Sequence, residues 1–107
     1  MPLIRLEFDD EVVPPDAVTS LSHAIRDIVI EQTGIADVFV YANSAQIKVQ
    51  IAPIEIFVEM SAHKIDDLED LFGRVKSQLS TWKGQCGFQH PINLTIIPMN
   101  WKFDTGI

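Results

Sequence analysis

The residues most able to do chemistry stand at the start of the chain, where Met1-Pro2 runs straight into Leu3-Ile4-Arg5-Leu6-Glu7-Phe8. A small residue after an initiator methionine favours its removal, which would leave Pro2 as a free secondary amine heading a strand. An ordinary α-amino group titrates near ~7.7–8.0, and burial against apolar neighbours or a nearby cation lowers that value. Such an amine is a candidate general base at working pH. Enolate chemistry at that base would also need a cation or hydrogen-bond donors, and Arg5, Lys48, Lys64 or a backbone amide are the candidates.

Other pairings read as structural. Glu55 and Glu59 share a strand face, but four residues of strand at ~3.3 Å each separate them by about 13 Å, too far for one metal ion or one shared proton. They are expected to be solvated or to meet another subunit. Arg5 and Glu7 fall on one face of the first strand, where pairing across a subunit interior is the simplest reading. Cys86 and His90 have a three-residue gap without a second close pair, and His23 and His63 lie elsewhere, so no metal site is expected. Cys86 is the only cysteine and reads as a bystander thiol. No glycine-rich phosphate loop and no Ser-His-Asp spacing is present, and no cofactor is expected.

The elements that must position these groups follow from periodicity. Leu3 to Phe8 alternates with period two, the mark of a strand with one apolar face. Asp9-Asp10-Glu11 and Pro14-Pro15-Asp16 end it and open a helix with Val18, Leu21, Ile25, Ile28 and Val29 on one stripe, closed by Gly34. Val38–Tyr41 and Gln46–Ile51 read as two short strands of a hairpin or edge pair. Ile54, Ile56 and Val58 alternate with Glu55, Phe57 and Glu59 in a further strand. A second amphipathic helix is expected from near Ile65, with acids at its start and Arg74, Lys76 and Lys83 toward its end, as the helix dipole favours. Residues 84–87 read as a loop, Asn93–Ile97 as a strand, and Trp101 and Phe103 as an aromatic tail.

This order is two consecutive β-α-β units in one domain spanning residues 1–107, an α+β fold with a mixed sheet and both helices on one face. No element remains to cover the opposite face, so other copies of the chain are expected to do so. The apolar share of 47% fits that expectation. A net charge of −7 with only 8 Lys+Arg excludes a basic stripe for nucleic acid and disfavours a polybasic membrane contact. Neither a signal peptide nor a membrane span is legible, and a cytoplasmic location is expected.

Three segments carry a resemblance: Met1-Pro2 before a strand, Pro53 through Ile65, and Ile97-Pro98-Met99-Asn100-Trp101. With the element order they resemble the tautomerase superfamily, the group containing 4-oxalocrotonate tautomerase and macrophage migration inhibitory factor, and both ends also resemble a bacterial branch of it. The resemblance implies a homotrimer with its sheets inside, its helices outside and a site at each subunit boundary. It further implies keto–enol tautomerisation of a small α-keto acid or related enol, with Pro2 as the general base. Ala62 then matches a position whose backbone touches substrate, Ser61 and Lys64 match the pocket mouth, and Asn93 and Thr95 match polar positions of the last strand. The lysine many relatives carry after the first helix would fall at Ile35 or Ala36, which leaves Arg5 or Lys48 to substitute, while Trp101 can pack on a neighbour or wall the pocket. The alternative is a trimeric binding or scaffolding member of the same fold without catalysis.

Overall fold

Alternating burial along Leu3–Phe8 makes β1, with Ile4 and Leu6 fully buried and Arg5 only half-buried between them. The computed structural model describes residues 1–107. After β1 come α1 (Pro15–Thr33), β2 (Phe39–Ser44), β3 (Ile54–Ser61), a short 3₁₀ turn (Ala62–Lys64), α2 (Leu68–Cys86) and β4 (Asn93–Met99). The strands form one sheet in the order β2-β1-β3-β4. β2 runs parallel to β1, β4 runs parallel to β3, and β1 and β3 are antiparallel. Each parallel pair is joined through a helix, so the two expected β-α-β units are present.

One apolar cluster holds the layers together. It joins Ile4 and Leu6 of β1, Ile54, Ile56, Val58 and Met60 of β3, Leu21, Ile25 and Val29 of α1, and Leu71, Val75 and Leu79 of α2. Both helices therefore lie on the same side of the sheet, and they pack against each other. Neither is long and apolar enough to cross a membrane.

Local signals fix the helix ends. Pro15 begins α1, where its missing N–H is no loss, and Gly34 ends it at φ 71° with its N–H donating to the Ile30 carbonyl at 2.8 Å. The second helix starts at Leu68 and not near Ile65, because Ala62–Lys64 first closes the 3₁₀ turn, with Ile65 N–H on the Ala62 carbonyl at 3.1 Å. Asp67 is its N-cap and accepts from Asp70 N–H at 3.1 Å. It also runs on through Gly84 to Cys86. Residues 84–86 are thus helical and not loop, and Gly87 at φ 69° is the terminator.

The expected second short strand at Gln46–Ile51 does not form. The topology explains the difference. β1 lies between β2 and β3, so the chain leaving Ser44 beside Phe8 must bridge the end of β1 to begin β3 at Ile54 on its other side. A hairpin back along the free edge of β2 would finish at the Pro2 end of the sheet, and Ala52-Pro53 could not then return the chain to Ile54 beside Phe8. Within the bridge, Ile47 and Val49 are 86% and 97% exposed despite their strand-like alternation.

The sheet face away from the helices carries the odd-numbered residues. Arg5 lies in register with Tyr41 on one side and Phe57 on the other, and Thr95 follows Phe57. Of the groups on this face, Phe39 is 45% and Tyr41 54% exposed.

Candidate functional site

Pro2 heads an interior strand, which sets its surroundings on both sides. Its side chain is fully buried, and its carbonyl accepts Phe39 N–H from β2 at 3.3 Å. The registers continued by one residue set Val38 on one flank and Met60 on the other, and both are buried. Periodicity alone does not identify Val38 and Met60 as neighbours of Pro2; the strand register is needed. With Met1 attached the Pro2 nitrogen is an amide and has no basic lone pair. Removal of Met1 converts it to a terminal secondary amine between apolar walls, where burial disfavours the charged form and lowers the pKa.

The end of β3 brings further groups to the same end of the sheet. Ser61 is buried, and Trp101 donates its Nε1–H to Ser61 Oγ at 2.9 Å, so the tail folds back here. Phe103 meets Trp101 edge-on, with ring centroids 6.0 Å apart. Ala62 is half-buried at the start of the 3₁₀ turn. Lys64 is exposed and borders a hollow of about 220 Å³ shared with Gln32 and Thr33 at the end of α1 and Asp66 and Asp67 before α2. Pro2, Ser61, Ala62, Lys64 and Trp101 thus gather at one end of the molecule.

The remaining candidates stand apart or are engaged. Arg5 lies on the open face with its guanidinium 4.8 Å from the Phe57 ring centroid. It donates from Nε to Glu59 Oε2 at 2.9 Å, with Glu7 Oε1 3.8 Å from its NH1. The pairing expected across a subunit interior is therefore met inside one chain. Thr95 sits midway along β4, opposite Phe57. Asn93 lies near the far end and donates Nδ2–H to Glu55 Oε1 at 2.6 Å.

Lys48 is at the far end as well, since it contacts residues that follow β1, about 20 Å from Pro2 at ~3.3 Å per residue. Its Nζ donates to Asp9 Oδ1 at 2.9 Å and to Asp10, with Glu11 Oε2 at 3.9 Å. Hydrogen bonds to Asp10 and then Asp9 raise the lysine pKa well above its ordinary range. The same bonds hold both aspartates below theirs. Within one chain, Lys48 and Asn93 therefore lie at the opposite end from Pro2. Cys86 is exposed at the end of α2, and no three His, Cys, Asp or Glu side chains are arranged to hold a metal ion.

No protein-family profile and no curated protein matches the sequence. Solved structures do match in fold. A fused wild-type 4-OT symmetric trimer aligns over 98% of this chain and 94% of its own at 17% identity, with a TM-score of 0.69. Malonate semialdehyde decarboxylase inhibited by 3-bromopropiolate covers 98% of this chain and 91% of its own at 17% identity, with a TM-score of 0.68. A macrophage migration inhibitory factor-like protein from Entamoeba histolytica covers 96% and 95% at 16% identity, with a TM-score of 0.64. The chain has the fold of the tautomerase superfamily.

Proposed function

We propose that this chain is a tautomerase that interconverts the enol and keto forms of a small α-keto acid, with Pro2 as its general base once Met1 is removed. The observation that supports this most is the setting of Pro2, fully buried at the head of an interior strand in a fold shared with tautomerase-superfamily proteins. In ketonisation the neutral secondary amine takes the proton from the enol oxygen, and its conjugate acid returns one to the far carbon of the C=C bond as the enol C–O becomes C=O; enolisation runs the same steps in reverse. Charge on the enolate oxygen is met by backbone N–H groups near Ala62 and by Lys64, a cation at this end that makes no ion pair within the chain. Val38 and Met60 supply the apolar walls that keep the amine neutral, and the Trp101 indole, tied to Ser61, supplies an aromatic one. The protein acts as a homotrimer, in which neighbouring copies cover the open face of the sheet.

The test is ketonisation of phenylenolpyruvate by protein whose Met1 removal has been verified by intact mass. Pro2→Ala keeps a primary amine without the ring geometry, and the rate should fall by about 10²-fold or more, the usual contribution of a positioned base. Protein that retains Met1 should be inactive with its fold unchanged. A second reading, a non-catalytic trimeric binding or scaffolding protein, is favoured by the state of the cations. Arg5 is held by Glu59, Lys48 by Asp9 and Asp10, and Ile35 stands just after the first helix, where many tautomerases carry lysine. Rates equal to buffer for processed wild type across several enols would select that reading.

A further inference from the structure

From Tyr41 to Ile51 every residue is exposed except Lys48. The usual alternation is inverted here. The charged side chain turns inward with 19% of its area exposed, while its apolar neighbours Ile47 and Val49 turn outward. The bridge is also far longer than its task, since residues 45–53 could extend about 30 Å, whereas the gap over β1 is two strand spacings, about 10 Å. Slack of that size leaves many postures open, and the middle of the bridge has no strand partner to choose among them. What chooses is the Lys48 ammonium, seated on Asp9 and Asp10 immediately after β1 with Glu11 beside them. At its base the bridge sets Ile51 and Ala52 beside Phe8 and Phe57 around a hollow of about 310 Å³ on the open sheet face.

We propose that Lys48 is the fastener of an assembly arm: its seat on Asp9 and Asp10 fixes the bridge in the posture that presents Ile47 and Val49 to a second copy of this chain. The occupant follows from what lies around the arm. Phe39 and Tyr41 are exposed on the free edge strand β2, Ile47 and Val49 are exposed on the bridge that leaves it, and the adjoining sheet face is left open by the chain itself. The structures that share this fold include a symmetric trimer. Charge holds the arm within one chain, so hydrophobic contact is left free to act between chains. The docking half of this inference rests on the self-association proposed above; the fastening half does not.

Two readouts separate those halves. Backbone ¹⁵N order parameters of residues 45–52 report the fastener, and sedimentation over a concentration series reports the docking. Lys48→Met keeps most of the stem and removes the charge. It should lower the order parameters of the arm from about 0.85 to below about 0.6 while leaving α1 and α2 unchanged, and raise the concentration at which the assembly dissociates by about ten-fold. Lys48→Arg, which keeps the charge, should restore most of both, and the Asp9→Asn, Asp10→Asn double variant should resemble Lys48→Met. Unchanged arm order parameters in Lys48→Met overturn the fastener whatever the mass. A loosened arm with an unchanged dissociation range overturns its role in docking, and a wild type that is monomeric at every concentration overturns the docking together with the self-association reading.

Discussion

Lys48 and its two aspartates make a cluster whose pH behaviour follows from the direction of each shift. Asp9 and Asp10 are held below the ordinary 3.8 by hydrogen bonds from Lys48. Their contribution is complete above that value and is lost as the pH falls through the lowered ones. Lys48 is raised above its ordinary 10.5, so its contribution is complete below 10.5 and is lost only as the pH rises through the higher value. No histidine contacts the cluster; its charged neighbours are Asp9, Asp10 and Glu11. Backbone ¹⁵N order parameters of the arm should therefore stay flat between about pH 5 and 9. A step inside that window would mean that another group fastens the arm.

At the scale of elements, the helix ends depend on single backbone positions. Gly34 holds φ 71° with open space where a Cβ would stand, so Gly34→Ala tests backbone strain without a steric clash. It should destabilise the fold by about 1–2 kcal/mol in urea unfolding, the cost of a left-handed L-residue. A loss under a few tenths would show that the helix end relaxes elsewhere. Gly34 was legible because a glycine after an apolar stripe has one common meaning, and Leu3–Phe8 and Ile54–Val58 were legible because each buries one face only. Gln46–Ile51 forms no strand despite its alternation, because alternation reports which side chains share a face, not where the chain must go next. Here the next strand starts beside Phe8 on the far side of β1, which is long-range information. The same limit applied to the site. Pro2 stood out by its chemistry, and Ser61, Ala62, Lys64 and Trp101 by resemblance. That Lys48 and Asn93 lie at the opposite end, and that Glu59 engages Arg5, emerged only with the register.

For the whole molecule the decisive feature is a sheet with helices on one side and an open face on the other. Phe39 and Tyr41 are exposed on that face and Ile47 and Val49 on the bridge that follows β2, and exposed apolar side chains in such number favour association. Light scattering should give the mass of three chains, and a mass equal to one chain at all concentrations would contradict the assembly. Trp101→Ala should weaken the trimer more than Cys86→Ser, because a buried aromatic anchor at an interface is commonly worth ~2 kcal/mol or more, whereas Cys86 is exposed at a helix end. Equal effects would show that the tail contributes only within its own chain.

A first proline that acts as the base carries a near-neutral pKa, and titration of that nitrogen reads it directly. Protein labelled with ¹⁵N-proline and verified to lack Met1 should give a Pro2 resonance whose midpoint lies below the ~7.7–8.0 of an ordinary α-amino group, because the buried Val38 and Met60 flank Pro2 in register. The rate of phenylenolpyruvate ketonisation should rise through the same midpoint. A Pro2 nitrogen that titrates at or above the ordinary range, with no rate change through its midpoint, would contradict the account.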